Sequence, residues 1–435
     1  MKNTVFIVSL GCPKNLVDTE VMAGLLLTHG FMLAEDPAQA NLYLINTCAF
    51  LPEAREEAYD NIREAIHWKK KRKNARKIVV TGCLCQKVPS EELQKAYPEV
   101  DIFLPVDGIG KLADILQGAP LPRCLGKPTF LADETLPRLL LTLPHVAFLK
   151  IADGCNNCCA YCSIPGIRGS LRCRTQESVL KEAGNLLDGG ARELVLIAQD
   201  ITAYDQPGGL GALLRELNRL DGDFRIRLLY THPAHYTDDF IDAVAECTKV
   251  IPYLDIPLQH ISDRILKEQF RRVTTARTRE LLSSLRARIP NLVLRTTFIT
   301  GLPGETEAEF EELKDFIREQ RFERCGVFAY SPEPDTPAAN YPDQIPYEIA
   351  QTRADELLEL QQAIMQERNR EWIGKKDRVL IDQVLPDGAC GRGTLDAPDI
   401  DNLVWVTSSE PLEEGQFYDV VYTEADEFEL HGEVQ

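Results

Sequence analysis

No apolar run in the 435 residues approaches the roughly 20 residues that a membrane-spanning helix needs, so no span is expected. The opening Met1-Lys2-Asn3-Thr4 leads straight into a strand-like run and lacks the pattern of a secretory leader. Positive charge is short as well. Lys and Arg number 48 against 67 Asp and Glu, a net of −19. That deficit argues against a large nucleic-acid footprint, which needs clustered Lys and Arg, and suits a basic partner or plain solubility. A conventional acid–base pair or nucleophile triad is also missing. Cysteine, by contrast, is abundant. Thirteen cysteines form an odd set in a large chain without an export signal, so a reducing cytoplasm fits better than a disulfide framework. With 44% hydrophobic and 26% charged residues, the composition is that of an ordinary soluble protein of about two to four domains.

Four of these cysteines stand in eight residues, Cys155-Asn156-Asn157-Cys158-Cys159-Ala160-Tyr161-Cys162. Thiolates favour zinc or iron–sulfur clusters. Zinc usually recruits pairs of ligands from two places, and no partner pair follows at zinc-finger distance. Cys155, Cys159 and Cys162 form a C-x3-C-x2-C triplet, and Cys158 in place of Cys159 would give C-x2-C-x3-C. A cubane cluster normally takes four cysteines, so three leave one iron open to a small molecule.

The first stretch alternates strands and helices. Apolar runs at Thr4–Leu10, Asn41–Asn46 and Lys77–Thr81 read as parallel strands buried on both faces. Helical periodicity covers 14–29 and 52–73, and a weaker strand at 101–104 and a helix at 109–117 complete an open α/β domain. The basic run Lys69–Lys73 closes the second helix, where positive charge complements the helix terminus. Cys12, Cys48 and Cys83 each follow the carboxyl end of a strand, the edge at which open α/β sheets bind ligands. Three cysteines far apart in sequence are thus expected to converge, with Cys85 a possible substitute ligand. Residues 118–144 are a proline- and leucine-rich linker, in which Cys124 has no assigned role.

The alternation restarts at 146. Strands are expected at Val146–Ile151 and near 193–198, 225–230, 253–257, 292–299 and 324–328. Helices are expected near 175–188, 210–220, 237–246, 274–288 and 306–319. Six such strands suggest a parallel sheet or a partial (β/α)6 barrel, with the cysteine loop after the first strand. Strand-end candidates for a small-molecule site are Gln199-Asp200, Tyr230-Thr231-His232, Gln259-His260, and Arg295 with the run Thr297–Glu305. His260 also suits a satisfied structural histidine, and Lys267, Arg271 and Arg272 a solvated helix face. A long amphipathic helix at 346–373 ends at Gly374. Residues 375–435 then break into short strand-like runs (378–384, 403–406, 418–423) split by turns, the pattern of a small β-barrel. That stretch carries four positive against fifteen negative charges, a net of −11.

With Tyr161 before its last cysteine, the triplet resembles that of radical S-adenosylmethionine (SAM) enzymes, whose spacing selects Cys159 over Cys158. The resemblance implies that the open iron chelates SAM, which the cluster cleaves by one electron to a 5′-deoxyadenosyl radical. It implies SAM contacts among Tyr161, Gln199, Arg295, Ile299 and Gly301. The last two match the later part of the family's G-x-I-x-G-x-x-G-like stretch. The C-terminal barrel resembles the TRAM domain, an OB-like fold associated with RNA, although its charge departs from that expectation. Taken in order, residues 1–117, 118–144 (linker), 145–373 and 375–435 are similar to the methylthiotransferases. That similarity implies a second [4Fe-4S] cluster on Cys12, Cys48 and Cys83 and no catalytic residue beyond the cluster ligands. It also implies cysteine-bearing edges that face each other over one substrate, an external electron donor, and a cytoplasmic monomer. One branch of the family modifies the β-carbon of an aspartate on the twelfth small-subunit ribosomal protein, and another modifies tRNA adenosine. The opening Val8-Ser9-Leu10-Gly11-Cys12-Pro13-Lys14-Asn15 is similar to that of the first branch, and the acidic barrel suits its basic target. The alternatives are the tRNA branch, an iron–sulfur electron-transfer or sensor protein without SAM chemistry, and a zinc-bearing RNA-binding module.

Overall fold

The computed structural model describes residues 3–71, 76–121, 126–426 and 428–435. Two compact units form. Met1–Leu141, Phe148–Cys158 and Cys162–Glu182 make one, and Thr142–Ala147, Cys159–Tyr161 and Ala183–Gln435 the other. The units therefore cut the chain differently from its sequence-read segments. Part of the stretch after 145 packs with the N-terminal residues, and the C-terminal barrel shares a unit with the larger sheet.

The first unit holds β1 (Asn3–Ser9), β2 (Phe31–Leu33), β3 (Leu42–Thr47), β4 (Lys77–Gly82) and β5 (Ile102–Leu104), all parallel in the order β2-β1-β3-β4-β5. Alternate residues feed two separate cores, as the period of a strand requires. Tyr43, Ile45, Ile78 and Val80 meet Ile62, Ile66 and Trp68 of the helix Pro52–Lys70. Val5, Leu42, Leu44 and Val79 meet Val21, Met22 and Leu26 of the helix Pro13–Thr28. The basic run has local partners: Lys69 reaches Asp101 at 2.6 Å and Lys70 reaches Glu99 at 3.5 Å. Its last members, residues 72 and 73, lie outside the described residues, as does Cys124.

Among the described residues of 118–144 no helix or strand forms. This linker is nonetheless tightly held. Buried Arg138 pairs with Glu20 at 2.6 Å and Glu182 at 2.7 Å, and donates to the carbonyl of Phe148. Beyond it come β6 (Val146–Lys150) and a small antiparallel pair, β7 (Ala152–Asp153) and β8 (Arg172–Cys173).

The second unit holds β9 (Glu193–Ile197), β10 (Arg225–Leu228), β11 (Val250–Gln259), β12 (Val293–Thr300) and β13 (Arg324–Ala329), which run parallel. With β6 they form a six-stranded sheet in the order β13-β12-β11-β10-β9-β6. Helices between them start on side-chain caps at Thr237, Ser262, Thr274 and Thr306, which satisfy otherwise unpaired amide groups. Thr306 and Glu309 close a full capping box.

Five further strands, β14 (Lys376–Leu385), β15 (Gly388–Arg392), β16 (Val404–Thr407), β17 (Phe417–Ala425) and β18 (Leu430–Val434), close a barrel in the order β14-β15-β16-β18-β17. β15 and β18 escape the sequence pattern. β15 reads Gly-Ala-Cys-Gly-Arg because a Cβ at Gly391 would lie 2.3 Å from the Leu380 carbonyl oxygen. The segment Arg392–Asp401 meets the amino ends of the sheet strands through buried ion pairs. Glu193 takes Arg225, Arg227 and Arg392, Arg324 takes Asp396, and Arg295 takes Asp401. Several of the barrel's acids therefore point inward. Asp387, Asp399, Glu410, Glu413, Glu414, Asp419, Glu424, Asp426 and Glu433 remain exposed against Lys375, Lys376 and Arg378.

Candidate functional site

Within the first unit, Cys12, Cys48 and Cys83 come together at one sheet edge. Cys12 caps the helix Pro13–Thr28, Cys48 follows β3, and Cys83 opens the short helix Cys83–Lys87 after β4. The approach is close enough that glycine is required. At Gly11, with φ +86°, a Cβ would lie 2.9 Å from Cys48 Sγ, and at Gly82, with φ +93°, 2.3 Å from Asn46 Oδ1. Hydrogen bonds tie the three loops together. Asn15 Nδ2 donates to the carbonyls of Leu10 (2.7 Å) and Thr47 (3.2 Å). Thr47 Oγ1 donates to the Thr81 carbonyl at 2.5 Å and accepts from the Leu84 amide at 3.3 Å.

Burial pushes the Cys83 thiol up to about 11, while Arg168 pulls the other way and the thiols of Cys12 and Cys48 add to the rise. Cys48 is also raised by burial, with Cys12 adding to it. Cys12 and Cys48 both act on Cys83, and Cys12 acts on Cys48, so the three thiols share a small volume. Such a soft donor set, beside a buried cation, fits a transition metal or iron–sulfur centre with one position left open. Cys85 faces elsewhere. Its Sγ donates to the Val80 carbonyl at 3.3 Å within the apolar core.

The triplet loop runs through both units. In the first, Gly154 at φ +80° lets the chain pass Ser170, whose carbonyl oxygen a Cβ would approach to 2.2 Å. The Cys155 amide donates to Gly169 O at 3.1 Å, the Asn157 amide points at Cys155 Sγ at 3.3 Å, and Asn156 Oδ1 accepts from the Leu171 amide at 3.0 Å. Cys158 is exposed, with its Sγ 3.7 Å from the Asn156 carbonyl oxygen.

In the second unit Ala160 donates to Gln269 O at 3.1 Å and accepts from the Ala338 amide at 2.9 Å. Arg271 does not lie on a solvated face. It is buried and donates to Cys159 Sγ (3.5 Å), Tyr161 Oη (3.2 Å) and the Pro257 carbonyl (2.6 Å). Arg272 and Lys267 are exposed, as a solvated face requires. Gln269 is buried with both amide atoms lacking a hydrogen-bond partner. An unsatisfied buried amide is costly, and the backbone of this residue is tied to Ala160, the neighbour of Cys159 in the chain. These residues fit a thiolate-held cluster with a polar ligand nearby. Gln269 was not anticipated from the sequence, because its role depends on burial rather than on any motif.

The strand-end candidates separate. Gln199 follows β9, and Asp200 caps the turn Ile201–Ala203 and bonds His235 Nδ1 at 2.7 Å. His232 Nδ1 accepts from the Ala234 amide, so the ring proton of the neutral form sits on Nε2, which is buried and without a partner. Burial, helped by Arg271, lowers His232 to about 2 and keeps it neutral. Ligand atoms of Asp200, His232 and His235 lie within 4.8 Å of one another. His260 serves structure. Its Nδ1 accepts from the Ser262 amide and its Nε2 lies 3.5 Å from Glu305, which also takes Arg353 at 2.7 Å and the Gly301 amide at 3.0 Å. Ile299 packs with Tyr161, Leu302 and Tyr330, and Gly301 turns at φ +72° against Ala350. Arg295 does not join this edge. It lies in the amino half of β12 and its guanidinium is committed to Asp255 at 3.1 Å and Asp401 at 3.3 Å.

Among the described residues no helix is long and apolar enough to cross a membrane. Residues 4–105 match the Uncharacterized protein family UPF0004, residues 149–317 the Radical SAM superfamily, and residues 373–434 the TRAM domain. The radical SAM match implies a [4Fe-4S] cluster and SAM. The chain is 42% identical to the ribosomal protein uS12 methylthiotransferase RimO of Desulfitobacterium hafniense, over 100% of this chain and 99% of that one. It is 43% identical to the protein of the same name from Geobacter sulfurreducens, with the same coverage, and 44% identical to that of Syntrophus aciditrophicus, over 100% and 98%. Among solved structures it is similar in fold to the radical SAM methyltransferase TsrM of Kitasatospora setae, with a TM-score of 0.60 at 16% identity over 78% and 75% of the two chains. It is likewise similar to the cobalamin-dependent radical SAM enzyme OxsB, with a TM-score of 0.54 at 14% identity over 82% and 56%.

Proposed function

The chain belongs to the radical SAM methylthiotransferase family of RimO, and on that premise we propose that it installs a methylthio group on the β-carbon of an aspartate of ribosomal protein uS12. The observation that carries the proposal is the meeting of Cys12, Cys48 and Cys83 at one sheet edge, a second thiol site in a chain that already has the Cys155/Cys159/Cys162 triplet. Cys155, Cys159 and Cys162 would hold the SAM-cleaving cluster, and Cys12, Cys48 and Cys83 an auxiliary one. When bound, the first supplies the one-electron cleavage of SAM that leads to hydrogen abstraction, and the second supplies sulfur.

The protein's own part is to hold and polarise. Arg271 fixes Cys159 and Tyr161 with one guanidinium. The amide of Gln269 and the neutral Nε2–H of His232 offer hydrogen bonds to a polar ligand. Tyr161, Gln199, Ile299 and Gly301 remain candidates to line the SAM site. Arg295, with its two carboxylate partners, is assigned to the junction with the barrel instead. Asn15 and Thr47 keep the auxiliary cysteines in register.

The exposed acids of the barrel favour a basic ribosomal protein over tRNA, because a polyanion is repelled by such a surface. The enzyme is proposed to act as a cytoplasmic monomer that takes electrons from an external donor. The test is anaerobic. Reconstituted enzyme receives SAM and a reductant, with small ribosomal subunits in one reaction and bulk tRNA in another, and mass spectrometry searches each for an added methylthio group. The expected result is a gain on uS12 that vanishes in Cys12→Ala. A gain confined to tRNA would refute the substrate assignment, and no gain with no 5′-deoxyadenosine would refute the reaction.

A further inference from the structure

Arg168 lies six residues beyond Cys162, in the stretch that matches the Radical SAM superfamily, yet it packs in the first unit against the N-terminal cysteines. Its side chain is 2% exposed and its donors are divided. Nη1 reaches Asp18 at 2.7 Å and Asp153 at 3.2 Å. Nη2 reaches Asn15 Oδ1 at 3.0 Å and Cys83 Sγ at 3.5 Å. Lys150, also buried, closes on Asp18 and lies 3.6 Å from Asp153. Two cations and two carboxylates thus balance, and the fork is held rigidly enough to aim one N–H at sulfur. Asn15, which accepts from the same fork, binds the loops that carry Cys12 and Cys48.

We propose that Arg168 is the positioning and charge-tuning residue of the Cys12/Cys48/Cys83 centre, so that the segment following the triplet completes the site built by the N-terminal sheet. The inference rests on the reading that these cysteines hold a cluster. A hydrogen bond and a positive charge at a ligating sulfur stabilise the more negative, reduced state of a cluster and raise its reduction potential. A planar fork is needed for this. Lysine supplies one point charge and cannot engage two carboxylates, an amide and a thiolate together.

The experiment uses full-length chain with Cys155, Cys159 and Cys162 replaced by alanine, so that only the auxiliary site can load. Iron content of this parent tests the cluster reading by itself, since a parent without iron removes the premise before Arg168 is examined. Arg168→Lys in the same background is expected to keep the parent's iron and to show a more negative midpoint in an EPR-monitored redox titration. An unchanged midpoint at full iron loading would overturn the proposal. A second measurement does not depend on the variant folding. The reduced parent, carrying ¹⁵N-guanidinium arginine, is expected to show a ¹⁵N coupling in pulsed EPR. Absence of that coupling would overturn the contact from which the proposal is built.

Discussion

Replacing Glu193 by glutamine should loosen the junction between the six-stranded sheet and the C-terminal barrel more than any other single uncharged substitution there. Glu193 is fully buried at the start of β9 and is shared by three buried arginines. Its Oε1 accepts from Arg227 at 2.7 Å, and its Oε2 accepts from Arg225 at 3.0 Å and from Arg392 of the barrel. Burial opposes its charge, but Arg225, Arg392 and Arg227 together hold its carboxyl well below the usual carboxylate range. Burial also pulls Arg225 down to about 10, which leaves it charged at neutral pH. The glutamine variant keeps the volume and removes the charge that three guanidinium groups face. Breaking a buried ion pair from one side costs about 3–5 kcal/mol, because the stranded charges stay buried. Arg392 retains Asp382 at 2.6 Å, which places the expected loss near the lower end, about 3 kcal/mol or roughly a hundredfold in the folding equilibrium. The assay is urea unfolding in a Trp68→Phe background, where the fluorescence of Trp372 and Trp405 reports this unit. Arg392→Met alone should cost less, since Glu193 keeps two partners, and the double variant should fall short of additivity by about 1 kcal/mol or more. A loss below about 1 kcal/mol for Glu193→Gln, with additive double-variant behaviour, would refute the assignment of Glu193 as the shared anion of this junction.

The other predictions concern the clusters, the glycines and pH. Cys48→Ala should halve iron and acid-labile sulfide per reconstituted chain, whereas Cys85→Ala and Cys158→Ala should leave both unchanged, as measured by colorimetric assay. Gly82→Ala should lose auxiliary iron and destabilise the fold by more than the roughly 1–2 kcal/mol of a left-handed residue, because its Cβ meets Asn46 and Thr47. Gly30→Ala, at φ +82° with open space around it, should cost only that backbone contribution, both glycine variants being read by urea unfolding with Trp68 kept as the reporter of the first unit. Stability of the metal-free chain should decline in two stages on acidification, as followed by unfolding at fixed temperature. His232 is neutral when folded, so its contribution is lost as pH falls below the ordinary histidine value of 6.5. Glu309 is opposed by burial but lowered to about 2, chiefly by Arg264. Its contribution is complete above the ordinary value of 4.5 and is lost as pH falls from there toward 2. A flat profile between pH 7 and 3 would contradict both.

The sequence by itself determined most of the elements and the ligand candidates. Continuous apolar runs such as Leu42–Ile45 are those of strands buried on both faces, and a cysteine after each of three parallel strands is brought to one edge by topology alone. The density of thiols in Cys155–Cys162 is local information and was legible as chemistry before any fold was known. Tertiary structure decided which charges serve those sites. Arg271 follows a short helix and reads as solvated, but the left-handed turn at Phe270 and Arg272 precedes and follows a side chain that goes inward to Cys159. Arg295 sits on a strand like a ligand contact, yet Asp401, 106 residues away in sequence, claims its guanidinium. Arg168 and Glu193 likewise act through partners as far as 153 and 199 residues along the chain. Periodicity records which side of an element is apolar, whereas the partner of a buried charge depends on which distant carboxylate or thiol the fold brings within about 3 Å, and no local pattern encodes that distance.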